Sequence, residues 1–337
     1  MATKRNGLWT RLANALAWAQ SRLKYSLLLV LGILVGFVAG WLQNAIASPF
    51  DEEPGGGPVK VVAMGDSYIS GEGATQFFRN TDNDSNRCRR APTAYPYAIK
   101  RILDLNLVFT ACSGAKTTDI MTRAQYPSSN SSVFGGQPQI DVLGDHDDVD
   151  IVLLSVGGND AKFGEIGHAC ALRRADCRAN ADDWLQNLEV VGARLVDTYS
   201  AVKAAAPEAE VFVMTYPNPF GSTYCRDIPT ISRGEYFFLR DEFIPALNDT
   251  IRAAARSTEV SLIDLEDAFD TRRICEAKPK DAAINIVGLS RRSAGDFQFG
   301  RAFHNSFHPN ALGHIMFARI VSPRIVGACT SRPEAVS

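Results

Sequence analysis

The 337-residue chain has no surplus of either charge. Its 35 Lys and Arg face 37 Asp and Glu, for a formal net charge of −2. A nucleic-acid binder would carry a basic excess, so that class is set aside. Histidine is scarce, with five in all. No CxxC pair occurs, and no cysteine stands beside a histidine at zinc-finger spacing, which argues against a structural zinc. No repeat of solenoid length is present. With 46% hydrophobic and 21% charged residues, the chain is neither disordered nor a multi-span membrane protein.

One absence is local. Residues 1–50 contain Lys4, Arg5, Arg11, Arg22 and Lys24 but no acid, leaving −7 for the remainder. No charge occurs between Lys24 and Asp51, and Ser26 to Leu42 is almost unbroken apolar sequence. With its flanks this run approaches the ~20 residues that span a bilayer. Basic residues before it and Asp51, Glu52 and Glu53 after it put the N-terminus in the cytoplasm and the rest outside. Residues 1–24 then read as a cytoplasmic basic segment and 25–47 as a transmembrane signal anchor. The competing reading is a signal peptide cut after Ala47, in the small-x-small sequence Ala45-Ile46-Ala47. Gly32, Gly36 and Gly40 share one helix face. They form either a homodimer seam or the ordinary glycine content of such helices.

All seven cysteines, Cys88, Cys112, Cys170, Cys177, Cys225, Cys275 and Cys329, follow the apolar run. Export favours disulfides, and an odd count leaves one thiol over. Spacing does not fix the pairing, although Cys170 and Cys177 are close enough to clip one loop.

Residues 48–58, with Pro54-Gly55-Gly56-Gly57-Pro58, read as a linker. Beyond it, β-branched runs alternate with helical patterns. Strands are predicted at Val59–Met64, Asn106–Ala111, Asp150–Val156, Glu210–Tyr216 and Val260–Ile263. Helices are predicted at Tyr95–Leu103, Asp183–Ala206, Gly234–Ser257 and Ala311–Val326. The alternation predicts an α/β domain over 59–329, with a mostly parallel sheet of about five strands covered on both faces, and a tail at 330–337. The irregular stretches 68–92, 124–149 and 265–307 are candidate substrate loops.

Ligands of open α/β sheets sit at the carboxyl ends of strands. Four groups of residues fall there. Met64-Gly65-Asp66-Ser67-Tyr68 places a hydroxyl at the first strand's end, though from the pentapeptide alone a capped turn is the simpler reading. It is not a GxSxG elbow, because Ile69 occupies the second glycine's position. Ala111-Cys112-Ser113-Gly114-Ala115 offers a backbone N–H to an oxyanion. Val156-Gly157-Gly158-Asn159-Asp160 offers a side-chain amide. His308-Pro309-Asn310 puts an imidazole just before the last helix, where it could take a proton from Ser67. A metal site from His304, His308 and His314 would need a helix through 304–308, which Pro309 disfavours.

The order of these four blocks resembles the SGNH (GDSL-type) hydrolase family over residues 59–327. The resemblance implies a three-layer, flavodoxin-like α/β/α sandwich and an esterase or lipase that needs no metal or organic cofactor. It implies Ser67 as nucleophile, His308 as general base, and an oxyanion hole from the Ser67 and Gly114 N–H groups and the Asn159 amide. The family's usual acid three residues before the histidine is replaced by Asn305. In this the chain is similar to a secreted actinobacterial branch that orients the histidine by a backbone carbonyl, so the Asn305 main-chain oxygen is expected in that role, with Asp296 a distant reserve. The same branch implies disulfides Cys88–Cys112, Cys170–Cys177 and Cys225–Cys275, leaving Cys329 free. The expected substrate is a carboxylic ester, lipid-like and outside the cytoplasm, with a membrane contact only through the N-terminal segment. An envelope glycan deacetylase or acyltransferase uses the same site, and a non-catalytic envelope-binding module is the alternative of a different class. Phe77, Phe78, Phe134, Phe297, Phe299 and Phe303 either line an acyl groove or pack against the domain.

Overall fold

The structure is a computed structural model. It describes residues 56–74, 76–83, 85–127, 135–146, 148–172, 176–225, 231–285 and 306–331. The described residues belong to one compact unit. The signal-anchor reading, the Gly32, Gly36 and Gly40 face and the Ala47 cleavage site lie outside the described residues. Among the described residues no helix is long and apolar enough to cross a membrane.

Five parallel strands form one sheet: β1 (Lys60–Gly65), β2 (Asn106–Phe109), β3 (Ile151–Ser155), β4 (Glu210–Met214) and β5 (Ser261–Ile263). Their order is β2-β1-β3-β4-β5. Val61 to Met64 of β1 and all of β3 are buried. These continuous apolar runs are what a strand covered on both faces requires. The chain steps from β1 to β2 in one direction and from β3 to β5 in the other. Right-handed crossovers then put the intervening helices on opposite faces. On one face lies α2 (Tyr95–Leu103), packed by the closing helix α9 (Ala311–Thr330). On the other, α6 (Ala181–Ala205) packs along α8 (Ile244–Thr258). The short helices are α1 (Ser67–Ser70), α3 (Thr117–Met121), α4 (Asp141–Gly144), α5 (Phe163–Leu172) and α7 (Arg233–Phe238). The direction reverses beside β1, and such a switch point opens a crevice at the strands' carboxyl ends.

Two expected boundaries shift for identifiable reasons. β2 stops at Phe109 because Thr110 and Ala111 both donate to Ala63 O, which breaks the ladder's alternation. The single helix expected over Gly234–Ser257 is interrupted by a π-turn at Leu239–Phe243. Pro245 has no N–H to give to the carbonyl four residues back, so the helix widens by one residue there.

Candidate active site

The site is built where β1 ends. Gly65 has φ +135°, and a Cβ there would lie 2.0 Å from Ser155 O on β3. Only glycine fits so close to the neighbouring strand. A side-chain amide clamps it: Gly65 N–H donates to Gln139 Oε1 at 2.6 Å, and Gln139 Nε2 donates back to Gly65 O at 3.0 Å. Asp66 then caps α1 by accepting the Tyr68 N–H at 3.0 Å. Ser67 becomes the first residue of that one-turn helix, buried to within 6% of full cover.

The imidazole of His308 meets it from the far end of the chain. His308 Nε2 lies 2.7 Å from Ser67 Oγ. His308 Nδ1 lies 3.1 Å from Ser306 O. A carbonyl can only accept, so Nδ1 carries the hydrogen in the neutral ring. Nε2 is then the bare nitrogen and accepts from the Ser67 hydroxyl. The carbonyl that meets the ring is thus that of Ser306, one residue beyond the expected Asn305. Asn305, Asp296 and His304 lie outside the described residues.

The loop presenting His308 is held on two sides. Tyr68 O–H donates to Phe307 O at 2.7 Å, and the Tyr68 ring lies 5.2 Å from the imidazole. Asn285 Nδ2 bridges Gly73 O at 2.9 Å and His308 O at 3.2 Å. Asn310 caps α9, accepting the Leu312 and Gly313 N–H groups at 3.0 and 3.1 Å.

The residues expected to supply oxyanion donors sit on loops at the carboxyl edge of the sheet. Gly114 is exposed and left-handed, at φ +81°. Among the described residues, neither its N–H nor that of Ser67 donates to a protein acceptor. Asn159 Nδ2 donates to Ala115 O at 2.9 Å, which uses one amide hydrogen and leaves the second. Asp160 braces the loop between them, accepting the Thr117 N–H at 2.9 Å and hydroxyl at 2.7 Å.

Beneath lies a polar relay. The Tyr216 hydroxyl donates to Asp66 Oδ2 and accepts the Gly158 N–H at 2.8 Å. Burial pushes the Asp66 carboxyl up to about 7, against the Tyr216 and Tyr68 hydrogen bonds that draw it down. His314 stands apart. It is fully buried on the inner side of α9, accepts the Tyr95 N–H at 3.4 Å, and is driven down to about 3 by desolvation. It is a core residue and does not join His308 in a ligand set. Among the described residues, the group of side chains close enough to hold a metal is Cys170, Cys177 and Glu235, and its two sulfurs are already joined to each other.

The three disulfides are Cys88–Cys112, Cys170–Cys177 and Cys225–Cys275, with Cys329 free. Phe78 is buried against the Tyr97 ring and packs in the domain. Phe77 is partly buried on the core, and Phe134, Phe297, Phe299 and Phe303 lie outside the described residues.

Residues 63–315 match the model of the GDSL-like Lipase/Acylhydrolase family. The chain belongs to this family. The resemblance carried by the four blocks therefore holds, and this GDSL-family protein is a carboxylic ester hydrolase. It is 29% identical to Lipase 2 of Streptomyces coelicolor over 296 residues, covering 83% of this chain and 90% of that one. Among solved structures, phospholipase A1 from Streptomyces albidoflavus NA297 aligns at a TM-score of 0.61 and 27% identity, over 80% of this chain and 99% of that one. The extracellular lipase of Streptomyces rimosus shares the fold, at a TM-score of 0.62 and 23% identity over the same shares.

Sequence reasoning had no hold on several residues of the hydrolase's site. Gln139 and Asn285 lie in segments without a pattern, far from the blocks they support. Tyr216 ended an expected strand, and that was the one available signal.

Proposed function

We propose that the protein is an extracytoplasmic serine esterase that cleaves lipid-like carboxylic esters through a Ser67 acyl-enzyme, with His308 as general base. The observation that carries this reading is the 2.7 Å contact between Ser67 Oγ and His308 Nε2, with Nδ1 engaged by a carbonyl. Ser67 attacks the ester carbonyl while His308 takes its proton. The tetrahedral oxyanion accepts from the Ser67 and Gly114 N–H groups and the Asn159 amide, each worth about 3 kcal/mol. His308 returns the proton to the departing alcohol, then activates the water that frees the acid.

The Ser306 carbonyl sets tautomer and ring orientation, as a carboxylate would, but stabilises the imidazolium less. The Tyr68 ring, 5.2 Å from the imidazole, supplies part of the difference. The lipid-like substrate is supported by relatives named lipase and by the phospholipase A1 structure. Export past residues 25–47 is supported by the charge pattern around that run and by a fold relative titled an extracellular lipase. In this reading the hydrolase domain is 59–329, beyond a linker at 48–58.

The test is full-length Ser67→Ala against p-nitrophenyl esters from acetate to palmitate, phosphatidylcholine and an acetylated sugar. Turnover and fluorophosphonate labelling are both lost, and the wild-type chain prefers the acyl lipids. Ester turnover retained by Ser67→Ala refutes the nucleophile, and preference for the acetylated sugar refutes the substrate class.

A further inference from the structure

Gly114 is a donor only if its N–H points at the right place, and its own side chain offers nothing to aim it. The Ser113–Gly114 peptide is one rigid trans plane, with the Ser113 carbonyl antiparallel to the Gly114 N–H. Whatever fixes that carbonyl fixes the N–H. Gln125, on the loop after α3, donates from Nε2 to Ser113 O at 2.7 Å. The same nitrogen stands 3.5 Å from where a Gly114 Cβ would be. Gln125 Oε1 is buried without a partner. Swapping the amide's ends would set two carbonyl oxygens against each other, so the donor is oriented by its contact.

Ser113 is also gripped through its side chain. Its hydroxyl donates to Glu72 Oε2 at 2.6 Å, and its N–H donates to Cys88 O at 2.9 Å. Glu72 is 1% exposed, and its other oxygen accepts from Arg89 Nη1 at 2.8 Å. Its own N–H donates to Ser67 O at 3.2 Å. Glu72 therefore joins, through its backbone N–H, the turn that carries Ser67 and, through its buried carboxylate, the residue before Gly114. Burying a carboxylate is costly unless it is paired, and an apolar side chain would fill the space at less expense. The proton-transfer chemistry of Ser67 and His308 uses neither Glu72 nor Gln125.

We propose that Gln125 and Glu72 are positioning residues that clamp the Ser113–Gly114 peptide plane and aim the Gly114 N–H at the oxyanion before substrate arrives. The proposal rests on the reading of Gly114 as an oxyanion donor. Deleting one such donor costs ~10²–10³ in kcat, and releasing its plane costs a part of that, about tenfold.

The test uses two full-length variants, with p-nitrophenyl butyrate as substrate and a short-chain trifluoromethyl ketone as a tetrahedral analogue. Gln125→Met keeps length and removes the donor. Ser113→Ala releases Glu72 without stripping a buried charge of its Arg89 partner, so the fold is retained. In each, kcat falls about tenfold, KM stays within about twofold, and the ketone's inhibition constant rises by the factor lost from kcat/KM. A variant with wild-type kcat overturns its half of the clamp. A fall in kcat with ketone affinity unchanged overturns the whole proposal. Ser67→Ala, run in parallel, separates the two levels. Turnover in that variant refutes the acyl-enzyme reading. Its silence beside a fully active Gln125→Met refutes the clamp alone.

Discussion

Replacing Tyr216 with Phe removes one oxygen atom and should produce a stability defect that grows with pH. The ring's edge-on contact with Tyr68, at 5.0 Å between centroids, survives the change. Two buried groups lose their partner: the Gly158 N–H and the Asp66 carboxyl. An unsatisfied buried group costs about 1–3 kcal/mol, which sets the defect at every pH. The second contribution depends on protons. Asp66 titrates at about 7 in the folded chain against an ordinary value of 3.8, because burial outweighs the hydrogen bonds that lower it.

The folded state therefore holds a proton that the unfolded chain has released, and stability falls as pH rises from about 4 through 7. Tyr216 supplies the largest of the opposing hydrogen bonds. Without it the folded pKa rises further, and stability goes on falling above pH 7 where the wild type has levelled off, by about 1.4 kcal/mol for each further unit. Below pH 6 the two proteins differ only by the unpaired groups. Urea unfolding followed by circular dichroism at pH 5, 6, 7, 8 and 9 measures this directly. A wild-type-minus-variant difference that stays flat or narrows toward pH 9 refutes the assignment of Asp66 as a neutral, Tyr216-bound carboxyl.

On the proposed chemistry, Asn159→Ala removes the one oxyanion donor that belongs to a side chain, and kcat for a p-nitrophenyl ester should fall about 100-fold with KM little changed. Equal losses in kcat and binding would place Asn159 in substrate contact instead. His314 bears on the acid side. Its folded imidazole titrates at about 3 against 6.5 when exposed, so the unfolded chain gains a proton first and stability is lost as pH falls from 6.5 toward 3. The full effect is up to roughly 5 kcal/mol. His314→Gln keeps an acceptor for the Tyr95 N–H and does not titrate. Its acid unfolding midpoint, read by circular dichroism, should move to lower pH, and an unmoved midpoint counts against a buried neutral imidazole.

The strands were legible because a sheet covered on both faces needs unbroken apolar runs, and Val61–Met64 and Ile151–Leu154 are such runs. The rim was legible because its corners recur in order. One glycine beside a polar residue at a strand's end is an ordinary turn. Three of them, at Gly65, Gly114 and Gly158, followed by a histidine just ahead of the last helix, mark a shared edge. What sequence could not reach is how those corners are held. Gln139 clamps Gly65 from 74 residues away, and Asn285 reaches Gly73 from 212 residues away. Neither residue has a local pattern, because its partner is a backbone group set by the tertiary fold. The Ser306 carbonyl at His308 depends on the left-handed turn at Phe307, with φ +60°. A bulky residue seldom adopts that conformation, and no local signal predicts it. The π-turn before Pro245 was readable in principle, since a proline inside a helical pattern must disturb it.

The hydroxyl of Ser67 and the imidazole of His308 are 241 residues apart along the chain. Synthesis at ~5–20 residues per second separates their appearance by roughly 12–48 s. Through that interval the nascent polypeptide carries the proposed attacking group without the nitrogen proposed to activate it. On the proposed chemistry, a chain cut off at any point before codon 308 is inert. On that same proposal, the long separation of the two residues along the chain gives the hydrolase a delay that keeps it inactive until its last loop has been translated.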